Sequence, residues 1–355
     1  MKPRVAVLVL NYNGLNWLKR CLPSVFRTEY ANLEVWIIDN GSSDGSIDFV
    51  KTTQPNARIL EFEENLGFAE AYNRAIALVR ADYVVLLNND TIVLNPGWID
   101  RLLETVETDH RIAGVQSKLV SMNDQTRLDS VGGIGIRYWL GFTDIGKLEA
   151  DKGQYDNPPV TPFYLCAACA LINRQAFLEV GGFDPEYFVY VEDVDLSWRL
   201  RLAGYRITYQ PTVRIAHFSQ GFFSTQSVAR RIYLQRRNLL RTLLKNCGSN
   251  TIMWAVRNFL LHSFLLFLFY SVSEPLRALA VVKSLEWNIG LLPDTLRERA
   301  KIQRKRQLEE KLLLRSMYPP ISYRPLRHQG LYRVLALVST KGYGVVYRDD
   351  LTLAS

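Results

Sequence analysis

Residues 81–91 read ADYVVLLNNDT. The apolar run Tyr83–Leu87 is short enough for a strand buried on both faces. It ends in three short polar side chains, Asn88, Asn89 and Asp90. In open α/β sheets, ligands sit in the crevice at the carboxyl ends of the strands. Asp90 is a hard oxygen donor, suited to Mg²⁺ or Mn²⁺ held jointly with a diphosphate. The same three residues also suit a plain turn, since Asn and Asp favour turns.

The upstream sequence repeats this pattern. VAVLVL (5–10) reads as a buried parallel strand, broken by Asn11-Tyr-Asn13-Gly14 and followed by helical spacing over Leu15–Arg27. Val35–Ile38 is a second strand. It ends in the polar turn Asp39–Gly45, and Ser46–Thr52 reads as a helix. Ala57–Phe62 is a third strand, and Asn65-Leu-Gly67 precedes the helix Phe68–Val79. Strand, polar turn and helix alternate, which implies a doubly wound, mixed α/β sheet flanked by helices. No GxGxxG follows the first strand and no GxxxxGK[ST] occurs, which disfavours a dinucleotide oxidoreductase and excludes a P-loop. Gly132-Gly133-Ile-Gly135 reads as a loop or bulge.

Downstream, Pro96–Val106 reads as a helix and Ile112–Leu119 as a strand. Asp124–Pro162 has no clear period and is long enough for a functional loop over the site. Glu192 and Asp193 precede a helix expected over Leu196–Ala203. Carboxylates there also suit helix capping, a job for which Asp195 is well placed. His217 follows a strand expected over Arg206–Ile215. A lone histidine is often structural, but a neutral imidazole also ligates divalent metals.

The chain has 355 residues, of which 48% are hydrophobic, and carries a net charge of +8. The charge is uneven. Residues 1–227 hold 21 Lys and Arg against 27 Asp and Glu, whereas residues 228–316 hold 17 against 6. An acidic body argues against nucleic acid and points to an anionic partner for the basic part. Cys21, Cys166, Cys169 and Cys247 show no repeated zinc spacing, so they read as buried thiols. No signal peptide is read at the start, where MKPR leads straight into a strand. In 228–316, Arg230, Arg231, Arg236, Arg237, Arg241 and Lys245 alternate with apolar residues, as in a basic amphipathic helix. Ile252–Val272 is apolar but interrupted, favouring a helix lying in an anionic membrane interface over one spanning it. Leu296–Leu314 reads as a further charged helix.

Several stretches resemble the family 2 glycosyltransferases, inverting enzymes of GT-A fold, and most of all their bacterial rhamnosyltransferase-like members that build cell-surface polysaccharide. They are VLVLNYNG (7–14), IIDNGSSDGS (37–46), NLGFAEAYNRAI (65–76), LLNNDT (86–91), GGFDPEYFVYVEDVDLSWRL (181–200) and His217. The resemblance implies that Asn11, Asn13, Asp39, Asn65, Gly67, Asn73, Asn88, Asn89 and Asp90 line a nucleotide-sugar site. Asp39 would accept a hydrogen bond from the nucleobase. Asp90 and His217 would hold Mg²⁺ or Mn²⁺, and Asp193 would be the catalytic base, with Glu192 and Trp198 on the acceptor side. The family's metal motif is commonly Asp-x-Asp; here its first position is Asn88, a weaker donor.

The implied activity moves a sugar from a nucleoside-diphosphate sugar, such as dTDP-rhamnose or a UDP-sugar, to a hydroxyl of a lipid-linked or growing glycan. The competing readings are a nucleotidyltransferase and a non-catalytic membrane scaffold with a degenerate site. The expected organisation is a GT-A domain over 1–227, a membrane-associating helical region over 228–316 and a tail over 317–355. The expected location is the cytoplasmic face of the cell membrane, peripheral or monotopic.

Overall fold

The computed structural model describes residues 2–136, 141–219 and 227–317. The expected tail, beyond Met317, lies outside the described residues. The described chain divides into two compact units. The first holds 2–133, 144–219 and 305–308; the second holds 134–136, 141–143, 227–304 and 309–317.

The first unit is built on a mixed sheet. Strands β1 (Val5–Asn11), β2 (Leu33–Asp39), β3 (Arg58–Glu61) and β4 (Tyr83–Asn88) run parallel in the order β3-β2-β1-β4. The sheet continues through β10 (Cys169–Asn173), antiparallel to β4, then β6 (Ile112–Ser121), β11 (Arg206–His217) and the short β5 (Thr91–Val93). β7 (Leu128–Ser130) pairs with β6.

Successive side chains of a strand point to opposite faces, and β1 shows this directly. Val5, Val7 and Val9 enter one core, which also holds Leu18, Cys21 and Leu22 of α1 (Leu15–Val25), Val50 of α2 (Ser46–Thr53) and residues of α4 (Trp98–Val106). Ala6 and Leu8 enter the other, with α3 (Gly67–Leu78), α5 (Arg174–Glu179) and α6 (Glu192–Leu202). Helices on both faces explain why these strands read as continuous apolar runs.

Three local expectations change. α6 starts at Glu192 rather than Leu196, so the carboxylate pair lies inside its first turn. The glycine cluster is not a loop: Gly133–Ile136 is strand β8, paired with β9 (Gly141–Asp144). The aperiodic stretch 124–162 is fastened by charge. Lys118 of β6, 3% exposed, lies 3.1 Å from Asp151 and 2.7 Å from Asp156. Arg214 also reaches Asp151 at 2.7 Å, and the Tyr209 hydroxyl donates to Asp156.

The second unit contains α7 (Val228–Asn246), α8 (Ile252–Ser273), α9 (Pro275–Gly290), α10 (Leu292–Arg304) and α11 (Glu310–Met317). The expected charged helix over Leu296–Leu314 is two helices. The residues between them, Lys305–Leu308, belong to the first unit, where the Gln307 and Leu308 amides donate to the Leu202 carbonyl. Half of the basic residues of α7 point inward rather than to a membrane surface, while Arg230 stays exposed. Arg236, Arg241 and Lys245 are 0%, 1% and 2% exposed. Arg236 lies over the Phe259 ring, and Arg241 pairs with Asp294 at 2.8 Å. α8 runs as one helix of 22 residues, with His262 and Ser263 turned inward and Arg257 exposed.

Replacing Lys118 with Met removes the buried cation shared by Asp151 and Asp156. Urea denaturation should show a loss of about 3 kcal/mol, as expected when one partner of a buried ion pair is deleted. A loss under about 1 kcal/mol would show that Arg214 alone secures the 146–160 segment.

Candidate active site

The register of the parallel strands sets the site. Asn11 pairs with Asp39, and Leu10 pairs with Asn88, so β1 and β2 end level and β4 ends one residue before them. Asn11 is fully buried, so its amide must find partners inside the protein. Its Nδ2 donates to Asp39 Oδ1 at 3.2 Å and to Ser42 Oγ at 3.1 Å. Its Oδ1 accepts from Asn89 Nδ2 at 2.8 Å. The other Asp39 oxygen accepts from the Ser42 amide at 2.9 Å. No side chain fits at Gly14, where a Cβ would stand 2.1 Å from Asn89 Nδ2. Asn13, at φ 48°, accepts from the Ser43 amide. Thus Asn11, Asn13, Asp39, Asn88 and Asn89 converge.

Asn40 joins them without having been singled out in the sequence. Its Nδ2 donates to Asn65 Oδ1 at 3.0 Å and to the Gly67 carbonyl at 3.1 Å, and its Oδ1 accepts from the Leu66 amide. Its signal was its place beside Asp39 in the turn closing β2.

On the far side of β4, His217 pairs with Thr91 and stands beside Asp90. His217 Nε2 lies 3.3 Å from Asp90 Oδ1, and Nδ1 lies 2.7 Å from Asp129 Oδ2. Burial works to lower the His217 pKa, but the carboxylates of Asp90 and Asp129 outweigh it and hold it up at about 10. Burial would likewise raise Asp129, yet His217 and Lys147 hold that carboxyl well below its usual range. Among the described residues there is no cluster of three or more His, Cys, Asp or Glu able to hold a metal ion. Asp90 and His217 offer one hard oxygen and one imidazole nitrogen. That set fits a divalent cation whose other positions are filled by ligand oxygens.

Asp193 occupies the first turn of α6. The chain enters this helix through two left-handed residues, Tyr190 at φ 76° and Val191 at φ 69°, neither of them glycine. Such conformations cost about 1–3 kcal/mol each and persist only where the surroundings enforce them. The enforcement comes from α3. Gly67 has φ 80°, and a Cβ there would stand 2.4 Å from the Phe188 carbonyl, which accepts from the Phe68 amide at 2.6 Å. Asn73 clasps Phe183 at both ends, donating to its carbonyl at 2.9 Å and accepting from its amide at 2.8 Å.

Asp193 Oδ1 accepts from the Val194 amide at 2.8 Å, and Oδ2 from the Ala167 amide at 3.4 Å. The adjacent Ala168 carbonyl takes the Asn88 amide at 3.0 Å, so one short segment ties Asp193 to the end of β4. Burial, then the charge of Asp144, pushes the Asp193 pKa up to about 7. Burial and the Asp193 charge raise Glu192 well above the carboxylate range. Its Oε2 is buried and finds no hydrogen-bond partner among the described residues.

Two expectations are corrected. Asn73 spends both ends of its amide on the Phe183 backbone, which leaves a structural role where a nucleotide-sugar contact was expected. Trp198 is 1% exposed and packs edge-on against Phe163, so it is a core side chain rather than an acceptor platform. All four cysteines are free thiols, with Cys166 partly exposed.

The family model for glycosyl transferase family 2 matches residues 6–181. An N-acetylglucosaminyl-diphospho-decaprenol L-rhamnosyltransferase of Mycobacterium tuberculosis (strain ATCC 25618 / H37Rv) is 31% identical over 233 residues, covering 59% of this chain and 75% of that protein. A poly-beta-1,6-N-acetyl-D-glucosamine synthase of Staphylococcus aureus (strain MW2) is 26% identical over 209 residues, 58% of this chain and 48% of that one. The solved mannosyltransferase PcManGT from Pyrobaculum calidifontis, in complex with GDP-Man and Mn²⁺, shares the fold, with a TM-score of 0.51 at 16% identity over 90% of this chain and 88% of that one. These likenesses do not favour a nucleotidyltransferase or a scaffold. The chain belongs to glycosyltransferase family 2 and is an inverting glycosyltransferase of GT-A fold that uses a nucleotide sugar.

Proposed function

We propose that this enzyme transfers a hexose from a nucleoside-diphosphate sugar, dTDP-rhamnose or a UDP-sugar, to a hydroxyl of a lipid-linked or growing glycan, with Asp193 as general base. The observation that carries this reading is the Asp193 carboxylate. It is buried at a strained helix start, tied through Ala167 and Ala168 to the end of β4. The rhamnosyltransferase relative, whose name specifies a diphospho-decaprenol substrate, supports a lipid-linked acceptor.

In this reading Asp39 and Asn11 receive the nucleoside end of the donor. Asp90 and His217 would hold Mg²⁺ or Mn²⁺, which would neutralise charge on the departing diphosphate. Asn88 brings no charge to that end of β4. Asp193 takes the proton of the acceptor hydroxyl as its oxygen attacks the anomeric carbon.

Asp193→Asn keeps the shape but removes the base, so kcat should fall by about 10²–10⁴ while donor binding survives. Near-normal transfer would refute the assignment. Asp193 works only when ionised, so kcat/KM at saturating cation should fall as pH drops through about 7 and level off above it. Asp144→Asn removes a raising charge and should move that acid limb to lower pH. An unmoved limb would show that Asp144 does not tune the base.

The second unit carries the membrane attachment, in this proposal, through apolar contact at the cytoplasmic face. What supports this is α8. By length and composition it is apolar enough to cross a membrane, and only 28% of its most apolar window is buried. Leu261, Phe264, Leu268 and Val272 are exposed, and Leu276, Leu279 and Val282 of α9 extend the surface. A helix apolar on every side seeks protein or lipid on every side. With Arg236 and Arg241 turned inward, anionic headgroups are a secondary attraction. Flotation with vesicles should therefore persist at high salt, which screens exposed charges. Phe264→Asp with Leu268→Asp should release the protein, whereas release by salt alone would restore an electrostatic attachment.

A further inference from the structure

We propose that Asp129 is a positioning residue for the cation site, fixing the ring of His217 so that Nε2 faces Asp90, where a cation shared by the two would displace the Nε2 proton. The inference rests on the reading that Asp90 and His217 hold the divalent cation. The backbone of His217 is already fixed. It pairs with Thr91 on one side and Ser121 on the other, and its carbonyl accepts from the Met122 amide. That leaves the imidazole free to rotate about its own Cβ–Cγ bond, which exchanges the faces and nitrogens it offers. Asp129 removes this freedom. It lies on β7, which pairs with the same end of β6 that carries Ser121, and its Oδ2 is 2.7 Å from His217 Nδ1. A carboxylate accepting from Nδ1–H leaves Nε2 as the nitrogen for a metal, the common arrangement for ligating histidines.

Asp129 is itself held. Its other oxygen accepts from the Lys147 ammonium, and Lys147 Nζ also donates to Ser219 Oγ at 2.7 Å. Ser219 has φ 66°, so Lys147 clamps the backbone just past His217 while it orients the carboxylate. Lys147 is donor-only, which makes the arrangement directional. In Asp129→Asn, the single amide oxygen must face the lysine. The amide NH₂ then faces His217 Nδ1 and drives the ring proton to Nε2, where it blocks the cation.

The test is titration of Mn²⁺ into full-length, detergent-solubilised protein with inorganic pyrophosphate, read by calorimetry and by electron paramagnetic resonance. Thermal unfolding without metal is measured alongside. His217→Ala should weaken Mn²⁺ binding severely. Asp129→Ala should weaken it by about tenfold to a hundredfold, the usual consequence of losing a histidine's outer partner. Asp129→Asn should do at least as much harm despite its matching shape. Adding Lys147→Met to Asp129→Asn frees the amide to turn its oxygen back to Nδ1–H, and binding should recover. Unchanged binding in His217→Ala removes the cation reading itself, and the proposal with it. Loss in His217→Ala with wild-type binding in Asp129→Asn overturns the proposal alone. So does a double variant that binds as weakly as Asp129→Asn. Should Asp129→Ala fail to fold, the comparison of the two Asn variants still decides.

Discussion

The site depends on three parallel strands ending within one residue of each other. Parallel ladders repeat evenly, so once β1 is aligned with β2 and β4, Asn11 and Asp39 arrive together and Asn88 one residue short of them, which brings Asn89 to the Asn11 amide. The Asn11 amide then turns alignment into a lock. A buried amide costs several kcal/mol unless its groups are bonded. Asn11 satisfies this only if Asp39, Ser42 and Asn89 stand where they do. A slip of one residue on either neighbour would strand that amide and turn the apolar side chains of a whole strand to the wrong core.

The second half of the site is assembled against resistance. Glu192 and Asp193 are buried acids, the charge of Asp144 raises the proton affinity of Asp193 and that of Asp193 raises Glu192, and the backbone at Tyr190–Val191 is strained. Neither feature helps folding. Both are held by ordinary structure nearby: the Asn73 clasp on Phe183, the glycine at 67, and the Ala167 amide on Asp193. Stability is spent at α6 to keep a carboxylate dry and at the right end of the sheet. The cation side works differently, since there carboxylates and cations alternate from Asp90 to Lys147 and burial is offset by charge.

Much of this was legible in the sequence. Buried strands ending in Asn and Asp are visible because both faces of the sheet are covered and the turns need short polar residues. The carboxylate pair and His217 stood out by motif. What failed was orientation. Asn73 and Trp198 sit within matching motifs, yet a helix turns one toward Phe183 and the other toward Phe163. In α7 the alternation of Arg with Leu read as a basic amphipathic helix facing an anionic membrane surface. Arg236 and Arg241 instead find an aromatic ring and an aspartate inside the helical unit, partners far away in sequence. Asp129 was invisible for the same reason. It lies in a stretch without period, and only the pairing of β7 with β6 brings it to His217.

The return of Lys305–Leu308 to the first unit bears on how the chain is made. α6 ends at Leu202, whose carbonyl would be left over as a helix terminus. It is taken by the amides of Gln307 and Leu308, while Lys305 Nζ reaches the Glu179 carbonyl. A ribosome delivers these partners about a hundred residues later. The helix that bears Asp193 is therefore finished only after α7 to α10 have emerged. The catalytic half is not a contiguous stretch of gene: a graft or truncation ending near residue 227 would leave the Leu202 carbonyl of α6 without the Gln307 and Leu308 amides.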